Sequence, residues 1–187
     1  MAVQGVHVAA APPPPSYDHW QWLNKTYWYV PNQYLLAIIS DPSLPPIPVA
    51  DQTVYYISNY QGGYFWGTTA VSFTQPDSSP SSTSCFQLVG SVTPQGAVHL
   101  TFTSLSSAPT TTTAPLLDSS TTGIGTMIPQ PGGYAMENQM STVAVGDVLV
   151  THWAYMYQCK PSEPCFSSLP QVGSSIPAFL EPCLSPP

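Results

Sequence analysis

Charged side chains are scarce in this sequence. They make up 6% of its 187 residues, against about 25% in a typical globular domain. Arginine is absent, and the two basic residues, Lys25 and Lys160, stand far apart in the chain. Nucleic acids and anionic membrane surfaces are bound through clusters of basic residues. The sequence therefore predicts no nucleic-acid partner and no electrostatic contact with a membrane.

Long apolar runs and catalytic motifs are missing as well. The sequence has no apolar run of about 18 residues, so we predict no membrane insertion. It has no Gly-x-Ser-x-Gly element, no paired carboxylates and no His-x3-His spacing, which argues against hydrolase chemistry. Because the sequence lacks the ligand spacing of common metal sites, we also predict no metal, and we predict no cofactor. Five aspartates lie near predicted turns, where hydrogen bonds to the local backbone explain them. They are Asp18, Asp41, Asp51, Asp77 and Asp118.

The apolar residues and the cysteines indicate a folded domain that contains disulfides. Apolar residues make up 43% of the chain, which together with the low charge indicates a folded domain rather than disorder. The four cysteines indicate disulfides and an oxidising compartment, so we predict a secreted, extracellular or periplasmic protein. Of the three ways to pair them, we favour Cys159–Cys165 across a short loop and Cys85–Cys183 across most of the chain.

Short segments rich in β-branched and aromatic residues alternate with Gly, Pro, Ser and Asn. We predict seven strands from them, and one or two more in the aromatic-rich segment 17–39. The seven are 52–60, 64–73, 84–93, 96–104, 122–128, 133–142 and 147–157. Hairpin order favours an all-β fold, a single antiparallel barrel or sandwich of about seven to nine strands, with an up-and-down meander preferred.

Three regions follow from this pattern. Residues 1–16 form a Pro/Ala-rich N-terminal arm, and residues 17–157 form the β-barrel or sandwich domain. Residues 158–187 form an irregular, Pro-rich C-terminal tail tied by disulfides. Two long Ser/Thr/Pro-rich loops, 74–83 and 105–121, interrupt the domain.

Alternation along two neighbouring strands brings polar groups onto apolar faces. Asn138 lies on the face of Met136 and Met140, and His152 lies on the face of Ala154. A hairpin turn centred near residue 145 places Asn138 directly opposite His152. Such a pair would either satisfy its own hydrogen bonds or point into a cavity and orient a ligand.

The opposite face of the same two strands offers another candidate site. It carries a carboxylate, an amide and aromatic rings, and the structural alternative is a solvated outer face with cross-strand aromatic pairs. The aromatic segment around Tyr64 and Trp66 adds rings of the kind that bind sugars and apolar molecules. The candidates on the opposite face are Glu137, Gln139, Trp153 and Tyr155.

Three functions remain open after these exclusions. The first is a secreted domain that binds a small organic molecule or a glycan in an aromatic-lined cavity or groove. The second is a structural subunit of an extracellular layer or filament, a homo-oligomer held by its Pro-rich arms. The third is a cofactor-free lyase or isomerase that uses Glu137 or His152 as general base.

Overall fold

The computed structural model describes residues 16–31, 36–40, 43, 45, 47–74, 83–105, 121–143 and 149–184. Most of the predicted N-terminal arm, the inner parts of both Ser/Thr/Pro-rich loops, the hairpin segment 144–148 and residues 185–187 lie outside these ranges. The predictions made for those segments therefore stay predictions.

The described chain is a closed antiparallel β-barrel. It contains nine strands, a 3₁₀ helix at Tyr17–Leu23 and two C-terminal helices, α1 (Pro164–Ser167) and α2 (Ile176–Leu184). The strands are β1 (Thr26–Tyr29), β2 (Leu36–Ser40), β3 (Ile47–Gln61), β4 (Tyr64–Thr74), β5 (Ser84–Val92), β6 (Ala97–Ser104), β7 (Thr121–Gln130), β8 (Gly133–Val143) and β9 (Leu149–Cys159).

The barrel has eight strand positions because β1 and β2 share one. Each of these two strands pairs with both β3 and β9, and β3 to β9 follow one another as neighbours in chain order. Pro31, which follows β1, has no N–H to donate to a neighbouring strand. The prediction of an up-and-down antiparallel fold is confirmed, and closure removes the exposed sheet edges that a sandwich would leave.

One end of the barrel is closed by aromatic side chains. The 3₁₀ helix buries Trp20 and Leu23, and the Trp20 Nε1 group donates a hydrogen bond of 2.8 Å to the Thr93 carbonyl in the turn between β5 and β6. Trp22 stacks on Tyr134 with ring centroids 5.5 Å apart. The N-terminal aromatic segment, in which we expected strands and a turn, thus begins with a helix that closes the core.

The C-terminal tail packs on the outside of the barrel. Helix α2 lies against β4 and β5, and its Phe179 and Leu180 join a second apolar cluster with Val54 and Ala70. The tail is therefore helical in part, where the sequence predicted irregular structure. This helix was not predicted because it contains Pro182, and proline usually marks the end of helical structure.

Both predicted disulfides are confirmed. Cys85 in β5 is bonded to Cys183 in α2, and Cys159 at the end of β9 is bonded to Cys165 in α1. The first bond holds α2 against the outer face of the barrel. The second closes a short loop directly after the last strand.

Candidate functional site

A cavity lies inside the barrel, at the end opposite to the 3₁₀ helix. Its volume is about 40 Å³, which is room for about three water molecules. The apolar part of its wall is largely aromatic and consists of Tyr55, Val71, Phe73, Phe86, Phe102 and Met140. The polar part consists of Thr53, Thr69, Thr121, Ser141 and His152. An eight-stranded barrel interior is just wide enough to be filled by side chains or to hold one small ligand.

The cavity contains His152, which the sequence predicted as a site residue, next to a partner that it did not predict. The His152 Nε2 atom lies 3.3 Å from Oδ2 of Asp51, and the two side chains are 8% and 1% exposed. The Thr53 hydroxyl donates a 2.7 Å hydrogen bond to the other Asp51 oxygen, Oδ1. The ring of Phe73 meets the imidazole edge to face at 6.4 Å.

The geometry of this contact leaves hydrogen-bonding capacity on both partners. Although Nε2 of His152 and Oδ2 of Asp51 are close enough for an ion pair when the imidazole is protonated, neither atom makes an aligned hydrogen bond within the described residues. The Thr69 hydroxyl in the cavity wall also lacks a partner there. Buried polar atoms normally have partners, so a third group between these side chains would complete their bonding.

The predicted position of Asp51 at a turn is wrong. We placed it at a turn before the strand 52–60, but β3 begins at Ile47 and Asp51 lies within it, facing inward. Thr53 and Tyr55 line the interior cavity and Ile57 lies in the barrel core, and strand alternation puts residue 51 on the same face. This period of two was the signal in the sequence that could have identified Asp51 as an interior carboxylate.

The predicted pairing of Asn138 with His152 is wrong in register. Met140 is the residue opposite His152, and Asn138 is opposite Ala154. The pairing is centred on residue 146 rather than 145, which shifts the partner of each residue by two positions, so both side chains still face the interior but at different depths. Asn138 is completely buried, one inward position further from the cavity than Met140.

Most of the other predicted site residues lie on the outer surface of the barrel. Trp153 is 51% exposed and Tyr155 is 38% exposed, and they are the cross-strand neighbours of Gln139 and Glu137. A hydrogen bond to Glu137 raises the pKa of the exposed Tyr155. This face therefore lies on the outer surface of the barrel and carries cross-strand pairs, and a ligand-binding role for it stays a prediction.

The aromatic segment in β4 is outside as well. Tyr64 and Trp66 are exposed, while Phe65 between them points into the core. The aromatic residues of the cavity wall are Tyr55, Phe73, Phe86 and Phe102, none of which we predicted as a site residue. The pattern of alternation separated the two faces of each strand, but only closure of the barrel fixed which rings share the interior.

Tyr55 is the most deeply buried polar aromatic group in the cavity wall. Its hydroxyl donates a hydrogen bond of 3.2 Å to the sulfur of Met140, and its ring lies 5.5 Å from that of Phe102. Burial raises the pKa of the Tyr55 phenol well above its ordinary value of 10.0, and the negative charge of Asp51 raises it further. The buried phenol therefore stays neutral at pH values at which an exposed tyrosine ionises.

This pKa predicts how the protein responds to alkali. The unfolded chain releases the Tyr55 proton near pH 10, whereas the folded chain retains it, so the stability contributed by this group is complete below pH 10 and is lost as the pH rises further. In a spectrophotometric titration of the 11 tyrosines, Tyr55 should ionise only together with unfolding. The variant Tyr55→Phe should lose one phenol from that late step, and an unchanged late step would contradict the assignment.

One cluster of possible metal ligands occurs among the described residues. It consists of Cys159, Glu163 and Cys165, whose ligand atoms lie within 4.8 Å of one another. The two sulfurs are joined in a disulfide, and it is the free thiolate that binds metals. Glu163 accepts a 2.8 Å hydrogen bond from the backbone N–H of Lys160. The cluster is therefore explained as a structural loop.

In the described ranges, every helix is too short or too polar to cross a bilayer. Comparisons with models of protein families, with curated proteins and with solved structures found no match for this chain.

Proposed function

We propose that this protein is a secreted β-barrel that binds one small organic molecule at the end of the barrel opposite to the 3₁₀ helix, with His152 and Asp51 as its polar contacts. The observation that carries the proposal is the Asp51–His152 pair, buried in an aromatic wall while each partner retains an atom without an aligned hydrogen bond. The two disulfides fit an oxidising compartment.

The energetics of burial support a ligand at this pair. Taking an imidazole and a carboxylate out of water costs several kcal/mol, which their mutual attraction offsets only when the remaining lone pairs and protons are also satisfied. A purely structural core would gain as much from apolar side chains of the same volume. A ligand that hydrogen-bonds both Nε2 of His152 and Oδ2 of Asp51 supplies the missing partner.

The wall of the cavity indicates the chemistry of the ligand. Small-molecule sites are mostly apolar with a few polar groups that fix the orientation, and here Phe73, Phe86 and Phe102 surround one polar pair. The described volume of about 40 Å³ is below the roughly 150 Å³ of an engineered cavity that binds benzene. The ligand is therefore compact, its polar end lies at His152, and a molecule with an aromatic ring enters only when a side chain of the cavity wall moves aside.

Proton transfer by His152 is the second candidate. The same atom, Nε2, has no aligned hydrogen bond in the described structure, and a base must be free to reach the proton that it takes. Glu137 is the weaker base candidate because it faces outward beside Tyr155. Assembly through the Pro-rich arms and glycan binding on the outer aromatic face stay predictions.

A binding experiment tests the proposal. The probe is p-cresol, an apolar ring with one hydroxyl, titrated into protein carrying ¹³C-methyl methionine. The expected result is a saturable shift of the Met140 methyl signal in the wild type. In His152→Leu, loss of the hydrogen bond should weaken binding by about tenfold or more.

The matched control is Trp153→Leu, the adjacent residue on the outer face. It should leave the affinity for p-cresol unchanged, since its side chain lies outside the barrel. The opposite pattern, in which Trp153→Leu abolishes binding and His152→Leu does not, would move the site to the outer face and contradict the proposal.

A further inference from the structure

The side-chain amide of Asn138 is a polar group that the proposed site does not use. It is fully buried, and neither Oδ1 nor Nδ2 has a hydrogen-bond partner among the described residues. A buried amide carries two donors and one acceptor oxygen, and leaving them unpaired is strongly unfavourable. An unpaired group of this kind needs a specific explanation.

Small residues flank the amide on both neighbouring strands. Asn138 pairs with Gly125 in β7 and with Ala154 in β9. A Cβ atom at Gly125 would clash first with the backbone oxygen of Glu137 and would also lie 2.5 Å from Oδ1 of Asn138, so the close strand pairing and the amide both require glycine here. The interior at this level is therefore shaped around a polar side chain and is not closed over it by large apolar neighbours on the adjacent strands.

Met140 separates this amide from the cavity. It follows Asn138 on the inner face of β8 and forms part of the cavity wall. Its sulfur accepts a hydrogen bond from the Tyr55 hydroxyl, the one hydrogen bond of the Met140 side chain among the described residues. Methionine side chains are unbranched and adapt easily to new packing, so a rotation of Met140 would join the cavity to Asn138.

We infer that Asn138 is the inner anchor of the ligand site, reached when Met140 turns aside, and that the ligand is a compact ring with hydrogen-bonding groups at opposite ends. One end meets His152 and Asp51, and the other meets the Asn138 amide. His152 lies opposite Met140, and successive inward positions on a strand are about 7 Å apart. This inference rests on the proposed function and adds the ligand class.

A pair of probes tests the inference. Both p-cresol and 4-hydroxybenzamide carry a phenol, but only the second has an amide at the far end of the ring, where it can bond both the oxygen and the nitrogen of Asn138. In the wild type, 4-hydroxybenzamide should bind about tenfold more tightly than p-cresol. It should also shift the methyl signal of Met136, the inward residue beyond Asn138, together with that of Met140.

The variant Asn138→Leu removes the amide at similar volume. It should abolish the preference for 4-hydroxybenzamide over p-cresol. The control Gln139→Leu, next in the chain but facing outward, should retain the full preference. The side-chain NH₂ signals of Asn138 in the wild type provide a second readout that needs no variant, and they should shift with 4-hydroxybenzamide alone.

The outcomes separate the two proposals. If neither probe binds the wild type, the proposed function fails. If both probes bind with equal affinity, or if Asn138→Leu retains the preference, the site is real but Asn138 is not its anchor. If the NH₂ signals exchange magnetisation with water and ignore both probes, the amide holds only a buried water, which overturns the inference.

Discussion

Replacing Cys85 and Cys183 together by serine is expected to lower the free energy of unfolding by about 4 kcal/mol. The disulfide joins residues 98 positions apart, and closing a loop of that size removes a large amount of conformational entropy from the unfolded chain. The variant also releases α2, whose Phe179 and Leu180 are buried only while the helix lies on the barrel. Urea denaturation followed by circular dichroism measures the loss.

The second disulfide provides the control for this prediction. Cys159 and Cys165 are only 6 positions apart, so their replacement by serine should cost about 2 kcal/mol on the same entropy argument. Equal losses in the two double variants would contradict an origin in chain entropy. The cost would then lie in the packing of the folded tail.

Removing the imidazole of His152 is expected to have the second largest effect. His152→Leu leaves the Asp51 carboxylate, which is 1% exposed, with the Thr53 hydroxyl as its remaining contact among the described groups. Breaking a buried pair by deleting one partner costs about 3 kcal/mol or more, because the other charge stays buried without compensation. Urea denaturation of the wild type and the variant measures this loss.

A second substitution distinguishes an uncompensated charge from a simple packing defect. Adding Asp51→Asn to His152→Leu removes the buried charge and preserves the shape of the side chain, so it should restore about 1 kcal/mol. A packing defect predicts no recovery, since the amide has the same volume as the carboxylate. If His152→Leu alone is as stable as the wild type, Asp51 does not depend on this contact.

The two effects also bear on the proposed function. Loss of Cys85–Cys183 should act on stability while leaving the interior cavity intact at low temperature, because the bond lies on the outer face of the barrel. Loss of His152 should act on both stability and the binding of p-cresol. Measuring both stability and p-cresol affinity in the two variants therefore distinguishes His152, which contacts the ligand, from the disulfide, which only stabilises the domain.

The sequence by itself determined the class of fold and much of its detail. Alternation separated the face of Met136, Asn138 and Met140, which is buried, from the opposite face of Trp153 and Tyr155, which is exposed. This worked because the side chains of a strand alternate strictly between two faces. The short and long cysteine spacings favoured the pairing that the structure contains.

Only the tertiary structure decided which residues form the candidate site. Asp51 and His152 are 101 positions apart and meet because β3 and β9 lie on either side of β2 when the barrel closes. Alternation along β8 and β9 put Asn138 and His152 on the inner face, but the pairing register of the two strands set their relative depth. Local pattern fixes the face of a side chain, whereas its neighbours across the interior depend on register and closure, which are properties of the whole sheet.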